Sequence, residues 1–380
     1  MEMDRIAQMG LDAHRVFSVI TARDQEGNVV RRERIEHRNR PIMLEQLARF
    51  PKDTEVVLES SFGWGWISDT LAAAGLKPCL ANSRKVAAWR KARGLAKSNR
   101  KDADLLSELP SEKQRWWEVW LASREVRDQR EWLRYRMSLV AVQTRLKNQI
   151  HAILHRHGIV QDYSDLFGRE GRRFLNILVA PKQQTLRDSA RDTLKGYLQL
   201  LDQVRRQIAG VTRKIRSQLQ RTPIGERLRS IPGIGWILAY TILAEIGEIE
   251  RFRNAKHLAS YSLMVPLADD SGEPLSPDEP PQGRHVGLIG RRTLKWAFIE
   301  AAHGAVRKGG RFRELYDRRT QGGKKDRNRG YIVVGRELSH VVYVCWKKER
   351  NYMENPPGRP CPKAKKLNRR KSRPGTGRPS

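Results

Sequence analysis

Apolar runs in this sequence are short: none reaches the roughly 18 residues that a membrane-spanning helix needs, so no membrane role is expected. Acidic residues are scarce too, with 42 Asp plus Glu against 74 Lys plus Arg and a formal net charge of +32. That excess is far beyond what solubility requires, and it makes a polyanion, nucleic acid first, the expected partner through phosphate neutralisation and counterion release. Cysteine is almost missing. Cys79, Cys345 and Cys361 are odd in number and far apart, which fits neither a disulfide framework nor a thiolate metal site. They read as reduced bystanders. Met1 to Arg5 leads into a strand rather than an apolar signal core, so a cytoplasmic protein is expected. With 39% hydrophobic residues over 380 positions, the chain can build two or three domains with separate cores.

Residues 7–12, 15–22 and 29–35 alternate as strands, with a Gln25-Glu26-Gly27-Asn28 turn before the third, and residues 55–59 form a fourth. Helices are expected over 43–49 and 64–74, with Gly75 as a stop before a short strand at 78–80. Three consecutive strands followed by alternating helix and strand predict an α/β sheet of the ribonuclease H type, provided the first strand is central. Past Pro110 long helices take over. Trp116, Trp117, Trp120 and Trp132 fall on a charged stretch that continues through Leu139, Leu146, Ile150 and Leu154 to Gly158. Leu201, Val204, Ile208, Val211 and Ile215 recur at steps of three and four. This is coiled-coil spacing, compatible with packing between chains or with a helical hairpin inside one chain. Residues 355–380 are Pro, Gly, Lys and Arg with little to bury, so partial disorder is expected there.

Against this basic background three carboxylates stand out. Asp12 ends the first strand, Glu59 closes another, and Asp102 begins a helix for which Ser98 is the expected N-cap, with Asn99 one turn ahead of Asp102 on the same face. Singly, each has an ordinary reading as a turn residue, a strand-end charge or a helix N-terminal partner. Together, in this order on an α/β sheet, they are candidates to cradle a divalent cation for phosphate chemistry.

Two further signals lie downstream. Ile231-Pro232-Gly233-Ile234-Gly235 sits between two helical segments as in a helix-hairpin-helix element, where Gly233 and Gly235 would let backbone amides approach a phosphate. A plain tight turn is the alternative. Ser271-Gly272 lies in a long polar loop, without a neighbouring His to activate the hydroxyl. Arg284, Arg291, Arg292 and Lys295 nearby are candidate phosphate contacts, or else a solvated basic face.

The ordered segments Gly10-Leu11-Asp12-Ala13-His14, Val57-Leu58-Glu59-Ser60, Lys97-Ser98-Asn99-Arg100-Lys101-Asp102-Ala103, Ile231 to Gly235, Leu258-Ala259-Ser260-Tyr261 and Ser271-Gly272 resemble the transposases of the IS110 and IS1111 insertion sequences over residues 5–308. The resemblance implies an RNase H-like (RuvC-like) DEDD domain at 1–112. Long helices and a coiled coil follow at 113–224, then a mainly helical C-terminal transposase domain at 225–310 and a basic extension at 311–380. It also implies catalytic acids Asp12, Glu59 and Asp102 holding Mg2+, with Ser271 as the nucleophile that links covalently to DNA. Homodimers pairing into a homotetramer, DNA at element ends and target, a structured noncoding bridge RNA as guide, and a place at the bacterial nucleoid are implied as well.

The family's third acidic position falls on Asn99, an amide that can ligate Mg2+ without bringing charge. Asp104 lies two residues from Asp102 and so nearly on the opposite helix face. Leu288-Ile289 precede Gly290 where the family has a basic residue, which leaves Arg284 or Arg291 to replace that contact. Rival readings are a RuvC-like Mg2+-dependent junction nuclease without a serine linkage, and an inactive nucleic-acid-binding descendant.

Overall fold

The alternating segments at the start of the chain form one sheet in the computed structural model, which describes residues 3–96, 98–181, 185–267, 285–286 and 290–354. The first three strands, β1 (Gln8–Ala13), β2 (Phe17–Arg23) and β3 (Val29–Glu36), make an antiparallel meander. Helix α1 (Arg40–Leu47) carries the chain to β4 (Glu55–Glu59), α2 (Trp64–Ala73) to β5 (Lys77–Ala81), and α3 (Ser83–Ala92) and α4 (Asn99–Glu108) to a short β6 (Glu118–Val119). The strand order is β3-β2-β1-β4-β5-β6, with β1 antiparallel to β2 and parallel to β4. The first strand is therefore central, as the ribonuclease H type of order requires.

Period-two alternation gives the sheet two apolar faces. Met9, Leu11, Val56 and Leu58 pack with Met43, Leu47, Ile67 and Leu71 of α1 and α2. Val57 and Ala81 face the other way, into a core with Val86 of α3, Leu105 and Leu106 of α4, and Trp117.

Helix α4 lies close against this second face because Gly10 has no side chain. A Cβ there would sit 2.2 Å from the Ser107 nitrogen and 2.4 Å from the Ala103 oxygen. Polar contacts hold the same helix to β2 and β3. Thr21 donates to Asp104 at 2.7 Å, and Arg32 forks onto both Asp104 oxygens at 2.9 and 3.1 Å. Burial alone would raise the Asp104 carboxyl, but the hydrogen bonds from Arg32 and Thr21, and the charges of Arg32 and Arg23, outweigh it and hold the carboxyl below its ordinary range.

A depressed carboxylate stabilises the fold above its unfolded-state pKa, and that contribution fades as pH falls through the folded value. Asp104→Asn is therefore expected to lower the denaturant midpoint near neutral pH. As pH falls below the ordinary carboxylate range toward the depressed folded value, its effect should shrink progressively. Urea titrations of both proteins across that fall in pH measure this.

Helix α5 (Arg124–Arg156) starts later than the sequence pattern suggested, at the Ser123 N-cap, whose hydroxyl accepts from Val126 N at 3.3 Å. Trp116, Trp117 and Trp120 precede that helix, and only Trp132 lies in it. Trp117 is fully buried in the sheet's second core and donates from Nε1 to the Leu109 carbonyl at 3.0 Å. After α5 come α6 (Arg169–Leu178) and α7 (Asp188–Gln220). Leu146, Ile150 and Leu154 of α5 share one core with Leu175 and Leu178 of α6 and with Leu194, Leu198 and Leu201 of α7. Farther along, Arg136 donates to Thr212 at 3.1 Å and Lys214 lies over Trp132 at 4.4 Å. These pairs make α5 and α7 an antiparallel hairpin whose heptad face finds partners within the chain.

The chain divides into two compact units, Met1–Ser217 with Tyr240–Arg251, and Gln218–Ala239 with Phe252–Ser380. Helices α8 (Pro223–Ser230) and α9 (Trp236–Ile246) follow α7. The C-terminal carbonyls of α9, otherwise left without helical donors, are capped within the first unit. Arg130, 4% exposed, donates to Ala244 and Glu245 oxygens at 2.8 and 3.1 Å, and Arg251 donates to Ile246 O at 2.9 Å. Both guanidiniums lie over the Trp120 indole.

The second unit continues with α10 (Ala255–Tyr261), the paired β7 (Pro266–Leu267) and β8 (His285–Val286), α11 (Arg292–Lys308), α12 (Gly310–Thr320) and α13 (Arg327–Lys347). Its buried residues include Leu294, Phe298 and Ala301 of α11, and Val334, Leu338 and Val342 of α13. Ser271, Arg284, Leu288, Ile289, Cys361 and the basic segment 355–380 lie outside the described residues.

Candidate metal centre and nucleic-acid interface

Parallel pairing of β1 with β4 places Leu11 opposite Leu58. One step further along each strand come Asp12 and Glu59, which share the sheet face opposite that pair. Helix α4 supplies the third acid from above. Ser98 is its N-cap, accepting from Lys101 N at 3.2 Å, and Asp102 occupies the first turn, its side chain 12% exposed. Asp102 is adjacent to Ala103, whose carbonyl touches the Gly10 position. The close approach of α4 to β1 thus also sets the distance of Asp102 from the strand acids.

The three carboxylates are near enough to act on one another. Burial pushes the Glu59 carboxyl up, and the charges of Asp12 and Asp102 push it further; a hydrogen bond with Ser83 and the charge of Arg90 act in the opposite direction. Two of the acids already have basic partners. Arg90 Nη1 donates to Asp102 Oδ1 at 2.8 Å, and His14 Nε2 lies 2.9 Å from Asp12 Oδ2. The His14 contact meets the ion-pair distance without hydrogen-bond alignment. With side chains so turned, no three His, Cys, Asp or Glu groups among the described residues close on a single point as ion ligands.

The donor set still fits a hard divalent cation. It consists of carboxylate oxygens, crowded enough that one of them resists ionisation. Asn99 begins α4 on the exposed surface, one turn before Asp102. Asp104 is committed to Thr21 and Arg32 on the far side of the helix.

The two glycines of the Ile231 to Gly235 loop have different surroundings. Gly233 has φ +84°, and a Cβ there would lie 2.1 Å from the Ala301 carbonyl oxygen and 2.6 Å from the Ala305 nitrogen on α11. Its immediate use is close packing of the loop on α11. Gly235 is exposed with no atom within 4 Å of its Cβ position, beside Arg229, whose guanidinium sits 3.5 Å over the Trp236 ring. Arg291 occupies the N-cap position of α11, and its side chain donates to the Tyr261 hydroxyl at 2.9 Å. Arg292 is exposed and Lys295 half-buried on α11.

Arg90 escaped the sequence reading. Nothing in the order of residues separates it from the other basic side chains, and only the placement of α3 shows what it touches. Cys79 is settled by its surroundings: burial, with the Glu55 carboxylate beside it, pushes the thiol up to about 12, which leaves it inert at neutral pH.

Comparison with known proteins adds two matches that bracket these features. Residues 9–159 match the DEDD transposase family of IS110, described as Transposase. Residues 225–317 match the family described as Transposase IS116/IS110/IS902 family. Among curated relatives, the transposase for insertion sequence element IS1111A of Coxiella burnetii is 25% identical over 221 residues, 57% of this chain and 58% of the relative. An uncharacterized 43.6 kDa protein of insertion element IS110 from Streptomyces coelicolor is 28% identical over 144 residues, 38% of this chain and 34% of the relative. An uncharacterized 44.8 kDa protein of insertion element IS116 from Streptomyces clavuligerus is 25% identical over 145 residues, again 38% of this chain and 35% of the relative. The chain thus spans between 34% and 58% of the length of these relatives.

Proposed function

Because the chain belongs to the IS110 family of transposases, we propose that it cuts and rejoins DNA strands using the acids Asp12, Glu59 and Asp102 together with Ser271. The observation that carries this reading is the meeting of Asp12, Glu59 and Asp102 on one face of the central strands, close enough to raise the Glu59 carboxyl. A DEDD domain implies a divalent cation, and Mg2+ is the proposed one. Asp12, Glu59 and Asp102 would hold it, with the Asn99 amide oxygen as a neutral fourth ligand. Bound there, such an ion polarises a phosphate oxygen and lowers the pKa of a coordinated hydroxyl.

The protein's own groups account for the rest of the proposal. Ser271 Oγ attacks phosphorus, so that a serine–phosphate ester forms as the bond to one sugar oxygen breaks. The serine proton is released, and the departing sugar oxygen takes up a proton. Reversal by a second DNA end rejoins the strand and frees the serine. Gly235, Arg291, Arg292 and Lys295, with Gly233 and Arg284, are the proposed backbone contacts. A structured bridge RNA as guide, and homodimers pairing into a homotetramer, complete the proposal; the net charge of +32 supports a large polyanionic load. Among the described residues no helix is long and apolar enough to cross a membrane.

The test is the covalent intermediate. Incubation with end-labelled element DNA and Mg2+ should give a protein–DNA adduct that survives denaturing electrophoresis. Ser271→Ala should abolish it, and so should Asp12→Ala. An adduct that persists in the serine variant sinks the proposal, whereas cleavage that persists without an adduct marks hydrolysis by water.

A further inference from the structure

Helix α3 touches the acidic site at both of its ends. Its first residue, Ser83, hydrogen-bonds Glu59 and lies 3.3 Å from Ser60 Oγ. Seven residues later, two turns along the same face, Arg90 reaches Asp102 at 2.8 Å. The helix that aims these groups is firmly set. Asn82 caps it, accepting from Arg84 N and Lys85 N at 3.1 and 3.2 Å, while Asn82 N donates to the Trp117 carbonyl at 2.8 Å. Val86 anchors it in the core. Arg93, one turn on, pairs with Glu108, a carboxylate it shares with Arg23, and lies over the Trp89 ring.

An exposed ion pair contributes little, but the Arg90 pair differs in two respects. Its side chains are only 21% and 12% exposed, and the carboxylate is one of three crowded acids rather than a lone surface charge. Arg90 thus offsets part of their mutual repulsion, and it does so on a carboxylate of the proposed cation site.

We propose that Arg90 is a positioning residue of the acidic site, a built-in counter-ion on Asp102 that a divalent cation displaces, so that cation loading is coupled to arrival of a substrate phosphate that takes over the guanidinium. The inference rests on Asp12, Glu59 and Asp102 being a cation site. A guanidinium fork matches a phosphate as well as a carboxylate, so a DNA backbone approaching the acids is a fitting second partner. Coupling of this kind is reciprocal: DNA tightens cation binding by the factor by which the cation tightens DNA.

The test is Mn2+ titration of the full chain, with free Mn2+ counted by electron paramagnetic resonance, alone and with a short duplex DNA. In the unaltered protein the duplex should tighten Mn2+ binding. Arg90→Gln should bind Mn2+ alone between about fivefold and about fiftyfold more tightly, and the duplex should then add little. Arg90→Lys, a point charge that pairs less closely with a carboxylate, should shift binding in the same direction by a smaller factor. Equal or weaker Mn2+ binding in Arg90→Gln overturns the proposal. If circular dichroism shows that variant to be misfolded, unchanged binding in Arg90→Lys overturns it instead. Asp102→Asn separates the two levels of argument. If it binds Mn2+ as tightly as the unaltered protein, the cation-site reading itself fails. If it binds weakly while Arg90→Gln is unchanged, only the role of Arg90 is lost.

Discussion

Asp12→Asn should nearly abolish strand cleavage while raising the melting temperature. The loss should be about a thousandfold, roughly 4 kcal/mol of transition-state stabilisation, the scale of losing a carboxylate that orients a Lewis-acid site. The gain follows from Glu59. Its carboxyl is raised in the folded state by burial and by the charges of Asp12 and Asp102. A carboxylate whose folded pKa is raised makes folding less favourable once pH exceeds its unfolded value, and the full cost is present above the folded one. Removing the Asp12 charge lowers the folded pKa of Glu59 toward the ordinary range, so part of that cost disappears at neutral pH. Asparagine keeps the shape of the side chain and an oxygen for the His14 contact, which isolates the charge. Cleavage of labelled element DNA and thermal unfolding at neutral pH measure the two effects. Cleavage within tenfold of the unaltered protein, or a lower melting temperature in a folded variant, would overturn the reading of the acids as a mutually repelling cation site. A cluster that stores unfavourable charge for the proposed catalysis is expected to show this opposition between stability and activity.

Much of the sheet could be read from its alternation. Gln8 to Ala13 places Met9 and Leu11 at alternate positions toward a core and Phe17 to Arg23 does the same with Ile20 and Ala22, whereas Val29 to Glu36 buries only Ile35; the expected Trp64 helix is found at Trp64–Ala73. The Ser98 cap was legible for a local reason, since a hydroxyl serving a nearby amide depends on neighbours in sequence. What was not legible depends on distant contacts. The late start of α5 follows from Trp117 burying itself against Leu109, beyond the reach of local pattern. The heptad face from Leu201 to Ile215 gives the period of an apolar stripe but not its partner. Leu146, Ile150 and Leu154 cover part of it in this chain. At the site, the acids could be named from their types and order, while the pairing of Arg90 with Asp102 depends on how a separate helix lies across the sheet.

Gly10→Ala should be strongly destabilising. The added Cβ would meet the Ser107 nitrogen at 2.2 Å, the Ala103 oxygen at 2.4 Å and the Leu106 carbonyl carbon at 2.6 Å. All three are backbone atoms of α4, so no side-chain rotation relieves the overlap. The helix must move bodily, and it is tied to β2 and β3 through Asp104 and through Arg23, which donates to Ser107 Oγ at 2.7 Å. A loss of about 3 kcal/mol is expected, the upper end for overpacking because the contact is backbone on backbone. Gly196→Ala is the matched control. Gly196 lies inside helix α7 with nothing within 4 Å of its Cβ position, so the same methyl group should stabilise by about 1 kcal/mol through helix propensity. Opposite signs in urea unfolding of the two variants would separate steric overlap from any general effect of losing glycine. The functional consequence is separable too. A displaced α4 carries Asp102 away from Asp12 and Glu59, so whatever Gly10→Ala protein remains folded should bind Mn2+ more weakly, while Gly196→Ala leaves that affinity unchanged. Undiminished Mn2+ binding in a folded Gly10→Ala protein would mean that the helix–strand contact does not set the spacing of the acids.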